Sequence, residues 1–390
     1  MGAYIRGDAV VVAVAEAPGP GYFESVSLAE RIASARSVSG LDPAEVARLA
    51  RVEPARLAAI EGGANLSAAE LIALADALGV SPVTLLGTER ADPRRSAARF
   101  RAPLGFEMIS SADARALARA AEAGRIHAFL WEKLGRPASV VTAARKVTAL
   151  TARPAPWKQG YVLGEEARLK LAPTEGPITS LQGWLEEAGV LVLELTLEAR
   201  DVEAASLAEA GASPVIILNR AIDRVRYAPA RRAILAHELC HLLHDANGDR
   251  DLLTLVSRQN DTSDVEQRAN GFAPAFLAPG RWVGTLSGTP RSISASIARR
   301  WGLSFEGAAW HAKNLGLLTG AEARALRDSP RKPAVETGLE QPIARTPPDQ
   351  FGIEAKPSAF GNSQLGELAV LAACDEIISR GRAAEIVSFR

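Results

Sequence analysis

The chain has little cysteine, no net charge and no long apolar run, and each shortage excludes a class of protein. Only two cysteines, Cys240 and Cys374, occur in 390 residues, which excludes a disulfide scaffold and a four-thiolate metal site and predicts a reducing compartment. The 45 lysines and arginines balance 45 aspartates and glutamates, so no overall field draws the chain to nucleic acid or to an anionic membrane. The apolar run at 9–14 is too short for a membrane span or a signal-peptide core. We therefore expect a soluble, cytoplasmic protein.

Apolar residues are abundant, and their spacing predicts a mainly α protein with a small β-sheet. With 47% apolar and 23% charged residues, the chain can bury two or three separate cores. The pattern indicates five short helices near the N-terminus, a central α+β domain and a C-terminal helical tail. The predicted segments are an N-terminal strand or tail at 1–24, the five-helix domain at 25–90, a basic linker and helical connector at 91–155, the α+β domain at 156–328, a Pro/Gly-rich linker at 329–361 and the tail at 362–390.

Proline and glycine mark the ends of the five short helices. Asp42-Pro43 places a capping side chain before a proline that starts a helix, and Gly79 supplies a stop. The predicted short helices are 28–39, 43–51, 54–61, 67–78 and 82–86. Elsewhere the spacing predicts strands at 9–15, 190–195 and 214–219, and helices within 111–152, at 165–171, 180–188, 230–245, 304–315 and 363–379, and from Ser263 and Ser292 onward.

The sequence HELCH at 237–241 lies within the helical pattern of 230–245 and carries the clearest chemistry. Four residues are slightly more than one helical turn, so His237 and His241 project from one face about 6 Å apart, which lets two nitrogens reach one zinc ion. Glu238 lies beside that face, where it can take a proton from the attacking water without binding the metal. The alternative is a core helix whose histidines are satisfied by hydrogen bonds.

A catalytic zinc needs a third protein ligand. His244 lies about 10 Å from His237 along the same helix, so it cannot share one ion with both histidines of the motif. Glu266 is the best candidate, because the helix from Ser263 has small residues on the Glu266 face and can pack closely on the histidine helix. Asp264 is a second candidate, and the spacing of Ser263 and Glu266 equally fits a capping box.

These motifs resemble the ImmA/IrrE family of zinc metallopeptidases. The resemblance implies a zincin-like α+β domain in which His237, His241 and Glu266 hold zinc, a gluzincin-like ligand set, and Glu238 is the base. It also implies a zinc-dependent endopeptidase that cleaves a repressor or another regulatory protein. The resemblance covers about 156–320 and rests on AHELCHLLH at 236–244, EQRANGFA at 266–273, FLAP at 276–279 and the strand 215–219.

Peptide hydrolysis also needs a group that stabilises the oxyanion and a surface that holds the substrate. His311 and Tyr227 are the candidates for the oxyanion, with packing as the alternative role of each. The strand at 214–219 is expected to pair with an extended substrate as an added edge strand.

Residues 28–88 resemble the Cro/C1-type (XRE) helix-turn-helix, chiefly in LAAIEGG at 57–63 and LIALADALGVSP at 71–82. The resemblance implies a DNA-binding fold, with Arg48, Arg51 and Arg56 as candidate contacts. Charge argues against this role, because 24–90 contains six arginines and nine acidic residues and phosphate binding needs local positive charge. Dimerisation or protein docking is the alternative, and the basic stretch at 90–101 is either a linker or a phosphate-contacting arm.

The sequence thus leaves two functions open. The first is a regulatory zinc endopeptidase in a stress, mobile-element or phage-related response, whose helix-turn-helix docks on operator DNA or on a DNA-bound repressor. The second is a transcriptional regulator or antitoxin that binds a co-encoded PIN-type toxin and uses the metallopeptidase fold as a scaffold. Residues 379–387 resemble the start of a small helix-turn-helix found in proteins fused in this way, and a tail helix docked on the core is the alternative. A homodimer is expected, since XRE modules usually pair.

Overall fold

The computed structural model describes residues 4–6, 9–11, 26–39, 41–80, 82–86, 110–151, 153–246, 252–257, 263–328 and 364–387. The chain divides into two compact units, Met1–Ala123 and Gly124–Arg390. The predicted basic stretch at 90–101 and the predicted linker at 329–361 lie outside the described residues. Among the helices that are described, none combines the length and the apolar character needed to cross a bilayer.

The first unit contains the five predicted short helices, and the prediction of an all-helical domain here is confirmed. Asp42 starts the second helix by accepting a hydrogen bond from the Glu45 amide at 2.8 Å. Ser67 and Glu70 form a capping box at the start of the fourth. The helices are α1 Leu28–Ser39, α2 Pro43–Ala50, α3 Pro54–Glu61, α4 Ala68–Leu78 and α5 Pro82–Leu86, and before them β1 Tyr4–Arg6 pairs antiparallel with β2 Ala9–Val11.

A four-stranded sheet forms the β part of the second unit. Its strands are β3 Leu191–Leu195, β4 Val202–Ala208, β5 Val215–Asn219 and β6 Leu252–Ser257, in the order β3-β5-β4-β6. The expectation that 214–219 pairs with a substrate is wrong, because β5 is hydrogen-bonded to β3 on one side and to β4 on the other. The sequence did not predict β4, whose VEAASLA reads as helical, or β6.

Twelve α-helices are described from residue 111 onward, and the boundary between the two units, after Ala123, falls within the first of them. Those predicted near 165, 180, 230, 263, 292 and 304 are confirmed, with ends that differ by up to nine residues. The helices are α6 Ser111–Lys133, α7 Val140–Ala144, α8 Pro156–Leu171, α9 Leu181–Glu187, α10 Ala228–His244, α11 Asp264–Leu277, α12 Gly280–Val283, α13 Pro290–Trp301, α14 Phe305–Asn314, α15 Gly320–Asp328, α16 Gln364–Cys374 and α17 Arg380–Val387.

Glycines allow α8 and α11 to pack at very close range. A Cβ atom on Gly160 would collide with the Arg268 carbonyl oxygen and lie 2.8 Å from the Phe272 nitrogen, and one on Gly271 would collide with the Trp157 carbonyl oxygen. Glycine lowers helix propensity, which explains why the sequence predicted α8 only from residue 165. The same glycines fix the position of α11, which carries Glu266.

The C-terminal tail forms two helices, and a half-buried glutamine joins the first of them to the rest of the second unit. Gln364 donates from Nε2 to the Glu186 carbonyl oxygen at 3.0 Å, and its Oε1 lies 2.8 Å from His127 Nε2. Burial lowers the pKa of His127 to about 4, so the ring is neutral near pH 7. The single helix expected at 363–379 ends early because Glu376 takes a left-handed conformation, with φ 58°.

Substitution of Gly160 by alanine is expected to destabilise the second unit by about 1–3 kcal/mol, because α8 and α11 cannot separate without strain elsewhere. The matched control is Gly320→Ala, at the first residue of α15, where an added Cβ meets only the flexible Arg324 side chain at 3.4 Å. Denaturant unfolding monitored by circular dichroism measures both. Equal stabilities of the two variants would contradict the close packing.

Candidate metal centre

The two histidines of the HELCH sequence lie on a buried face of α10. The Nε2 atoms of His237 and His241 are 3.0 Å apart, and the ring centroids are 4.9 Å apart. The side chains are 6% and 0% exposed, since α10 packs against both β4 and α11. Spacing by one helical turn therefore brings both imidazoles to one point within the core.

The third side chain at this point comes from α11. Glu266 Oε2 lies 3.0 Å from His237 Nε2, and Glu266 Oε1 lies 3.4 Å from His241 Nε2. One ligand atom from each of the three residues lies within 4.8 Å of the others, an arrangement that could hold a metal ion. Ser263 caps the helix by accepting from the Glu266 amide at 3.2 Å, but the Glu266 carboxylate faces the histidines. Asp264 is exposed and is not part of this cluster.

Hydrogen bonds fix which nitrogen of each ring carries hydrogen. His237 Nδ1 lies 3.1 Å from Asn270 Oδ1, and His241 Nδ1 lies 2.8 Å from Asp245 Oδ2. Both partners are acceptors, so in the neutral tautomer that can bind a metal through Nε2, both Nδ1 atoms are protonated and both Nε2 atoms direct lone pairs at each other.

Two lone pairs and a carboxylate that converge in a buried space repel one another unless a cation lies among them. Although burial opposes protonation of His241, its pKa is raised, because the hydrogen bond to Asp245 and the nearby charges of Glu238 and Glu266 outweigh burial. The site thus favours positive charge. Neutral imidazole nitrogens with a carboxylate oxygen are a donor set that fits zinc.

Asp245 is itself held in place by a buried arginine. Arg268 Nη2 pairs with Asp245 Oδ1, and Arg268 Nη1 donates to the Thr148 carbonyl oxygen at 2.5 Å. The guanidinium is 1% exposed. Partners that orient the ligating rings in this way control metal affinity in many proteins.

Glu238 is fully buried beside the cluster and is not one of its members. The Ser206 hydroxyl on β4 donates to Glu238 Oε2, whereas Glu238 Oε1 has no hydrogen-bond partner within the described residues. Burial raises the pKa of Glu238, and the neighbouring His241 and His237 and the Ser206 hydrogen bond oppose that shift. A carboxylate with a raised pKa and one free oxygen is suited to accept and return a proton.

A cavity of about 410 Å³ adjoins the cluster, with His237 in its wall. His311 also lines it, but His311 Nε2 donates to the Ala278 carbonyl oxygen at 2.7 Å, and Nδ1 accepts from the Tyr161 hydroxyl at 3.0 Å. Burial lowers the pKa of His311 to about 4. The ring therefore offers no free N–H to the cavity. Tyr227 occupies the N-cap position of α10, about 15 Å along the axis from His237, and is not among the residues that line the cavity.

The arginines named as DNA contacts differ in their availability. Arg56 is bound within the domain, by two hydrogen bonds of 2.7 and 3.0 Å to the Glu70 carboxylate and one of 2.7 Å to the Asn65 carbonyl oxygen. The hydrogen bond from Arg56 is the main cause of the low pKa of Glu70, about 2. Arg48 and Arg51 are exposed.

Comparison with known proteins identifies both domains. Residues 185–311 match the sequence profile of the IrrE N-terminal-like domain, a metallopeptidase family, and residues 27–86 match that of a helix-turn-helix domain. A search of curated proteins finds no match. The two domains recognised from sequence patterns are confirmed, with the helix-turn-helix first in the chain.

Sequence reasoning did not assign roles to three residues that support the cluster. Asp245 follows His241 by four residues, so helical spacing could have revealed it as a partner. Asn270 follows Glu266 by four residues, so the same spacing could have placed it on the Glu266 face of α11. Ser206 has no local signal, because it reaches Glu238 only through the pairing and packing of β4.

Replacement of Asp245 by asparagine is expected to weaken zinc binding about 10- to 100-fold, because the His241 ring loses its charged hydrogen-bond acceptor. Competition with a chromophoric chelator measures the zinc dissociation constant. Asp264→Asn, the same change on an exposed residue of α11, should leave it unchanged. Weakening by Asp264→Asn instead would identify Asp264 as a ligand.

Proposed function

We propose that residues 156–328 are a regulatory zinc-dependent endopeptidase, which cleaves a repressor or another regulatory protein in a stress, mobile-element or phage-related response. The observation that carries the proposal is Glu238, a buried carboxylate with one unpaired oxygen beside an intact cluster of two histidines and a glutamate. A binding scaffold has no physical need for such a group, because burying it costs free energy.

His237, His241 and Glu266 would hold the zinc ion. Zinc supplies Lewis-acid chemistry, which polarises the scissile carbonyl group and makes water a better nucleophile near neutral pH. Asn270 and Asp245 keep both Nδ1 atoms protonated, so that both Nε2 atoms remain available as ligands.

Glu238 would act first as base and then as acid. Its unpaired Oε1 accepts a proton from the attacking water, while Ser206 holds Oε2 and so orients the carboxylate. The raised pKa then favours delivery of that proton to the nitrogen of the leaving amine. Both transfers restore Glu238 to its starting charge.

The proposal also requires a group that stabilises the oxyanion. His311 and Tyr227 were the candidates, and either would have to change its hydrogen bonds or its position to reach the scissile carbonyl. The cavity next to His237 is the natural place for a substrate side chain, since it adjoins a ligand of the cluster.

The helix-turn-helix would place the peptidase on operator DNA or on a DNA-bound repressor. Arg48 and Arg51 are exposed cations in the described part of this domain, and Arg56 would have to leave Glu70 in order to read a base. We propose a cytoplasmic location, which agrees with the two unpaired cysteines, one buried and one exposed. A homodimer remains part of the proposal.

The engagement of Arg56 by Glu70 favours the second candidate function, a regulator or antitoxin that binds a co-encoded toxin through a peptidase-like scaffold. In that case partner binding should survive removal of the metal. Pull-down of the co-encoded protein by metal-free and zinc-loaded protein distinguishes the two functions.

Replacement of Glu238 by glutamine is expected to lower cleavage about 10²- to 10⁴-fold with zinc retained, because the isosteric amide cannot accept the proton. New protein N-termini are compared in host cells that express the wild type or the variant, with and without DNA-damage or phage stress. A small set of termini should require the wild type. Glu322→Gln, the same change on the surface of α15, should behave as wild type.

If no terminus differs under any condition while both proteins bind one zinc ion, the endopeptidase proposal fails. Binding of a partner protein by the peptidase-like scaffold would then be the function of this chain.

Substitution of Arg48 and Arg51 together by alanine should reduce binding to a labelled DNA duplex and lower the salt slope of log Kd by about two, one for each lost phosphate contact. Fluorescence anisotropy at several salt concentrations measures this. The matched control is the pair Arg153→Ala and Arg281→Ala, exposed arginines of the second unit. Loss of binding in the control alone would place the DNA contact outside the helix-turn-helix.

A further inference from the structure

A second cavity, of about 290 Å³, lies at the C-terminal end of α10. It shares no lining residue with the cavity at His237. Leu163, Ala167 and Leu171 of α8 and Leu243 of α10 form apolar walls. Its volume is near the lower end for small-molecule sites, about 300 Å³.

His244 forms one wall of the cavity, and one of its ring nitrogens has no hydrogen-bond partner in the described part of the chain. Its side chain is 9% exposed, and its Nδ1 lies 3.1 Å from Thr148 Oγ1. Thr148 donates its own hydroxyl hydrogen to the Lys146 carbonyl oxygen at 3.0 Å, so His244 Nδ1 is the donor in the contact between them.

The other ring nitrogen is therefore an acceptor. Burial, and then the charge of Arg268, lower the pKa of His244 to about 4, so the ring is neutral near pH 7. His244 Nε2 is buried and has no hydrogen-bond partner among the described residues. A buried acceptor without a partner costs about 1–3 kcal/mol. A ligand N–H or O–H that approaches this edge of the ring would satisfy it.

Lysines dominate the charge around the cavity. Lys146 and Lys170 both line it and are exposed, and Glu166 is the one acidic residue in its lining. Within the described part of the chain, neither lysine has a carboxylate partner within 4 Å. The cavity thus combines an apolar interior, one unsatisfied acceptor and a positively charged rim.

We propose that this cavity binds a small amphipathic anion with three parts: an apolar body, one N–H or O–H donor for His244 Nε2, and a carboxylate for Lys146 and Lys170. Each part corresponds to one feature of the cavity. The site is separate from the proposed endopeptidase site, so the proposal does not depend on proteolysis.

A chain of hydrogen bonds connects this cavity to the cluster. Thr148 contacts His244 through its side chain and Arg268 through its carbonyl oxygen, Arg268 pairs with Asp245, and Asp245 accepts from His241 Nδ1. A ligand that moves His244 and Thr148 would therefore shift the support of a metal ligand. Occupancy of the cavity should change the affinity for zinc, and linkage requires zinc to change the affinity for the anion by the same factor.

Isothermal titration calorimetry on the full, zinc-loaded chain tests the site with three probes of similar shape. Indoleacetate has the apolar body, the N–H and the carboxylate, and it should bind. Naphthaleneacetate lacks the N–H and should bind about tenfold more weakly, and tryptamine replaces the carboxylate with an ammonium group and should not bind. Tryptamine binding as tight as that of indoleacetate, or no heat with indoleacetate, would overturn the proposal.

Variants then locate the binding on the chain. Lys146→Gln with Lys170→Gln should weaken indoleacetate about tenfold, and Lys158→Gln, on the same helix but outside the cavity, should not. Ala167→Leu should fill the cavity and abolish binding while circular dichroism and zinc content stay unchanged. Equal binding by the double-lysine variant and the Lys158→Gln control would overturn the assignment, whether or not Ala167→Leu folds.

The zinc dissociation constant, measured by chelator competition with and without saturating indoleacetate, tests the connection. A shift of about fivefold is expected. A zinc dissociation constant that does not change when indoleacetate is bound would overturn the proposed connection between the cavity and the cluster.

Discussion

Two buried imidazoles whose Nε2 lone pairs face each other at 3.0 Å are the constraint on which the rest of the second unit depends. Asn270 and Asp245 hold the opposite edges of both rings, so neither ring can turn its lone pair away without breaking a hydrogen bond. A cation would relieve the repulsion, and Glu266 would contribute the negative charge that such an ion requires. The core around the rings is thus organised for a charge rather than for apolar contact alone.

Close helix packing maintains this geometry. Gly160 and Gly271 let α8 and α11 approach until backbone atoms meet, which leaves α11 little freedom to slide. Glu266 and Asn270 both belong to α11. The contact between α8 and α11 therefore positions the third member of the cluster and also the side chain that orients His237. Arg268, on the same helix, extends this control to His241 through Asp245.

The electrostatics of the helix-turn-helix differ from those of the cluster in the second unit. Its Arg56 is neutralised by Glu70, which also caps α4, so the two roles of Glu70 stabilise the domain at the expense of free positive charge. The ion pair is only half-buried, so water and phosphate can compete for Arg56. DNA affinity would then depend on Arg48, Arg51 and the ionic strength.

Local features of the sequence determined many of the helices of this protein and part of its candidate site. The five short helices follow from caps and stops such as Asp42 and Gly79, and the pairing of His237 with His241 follows from helical spacing, because each depends on residues within one turn. These signals were enough to predict the fold class and to place Glu238 beside the histidine face, whereas the two domains were recognised by the resemblance of their motifs to known families.

Only the tertiary structure decided the remaining features of the site and the sheet, because these features depend on contacts between segments far apart in the chain. The sequence ranked Glu266 above Asp264 but left both open, since both lie in the first turn of one helix, and the packing of α11 on α10 brings only Glu266 to the histidines. Only sheet pairing places β5 between two strands and brings Ser206 to Glu238. The spacing of residues in the sequence indicates which side chains share a helix face. The element that packs against that face depends instead on shape and burial across the whole domain.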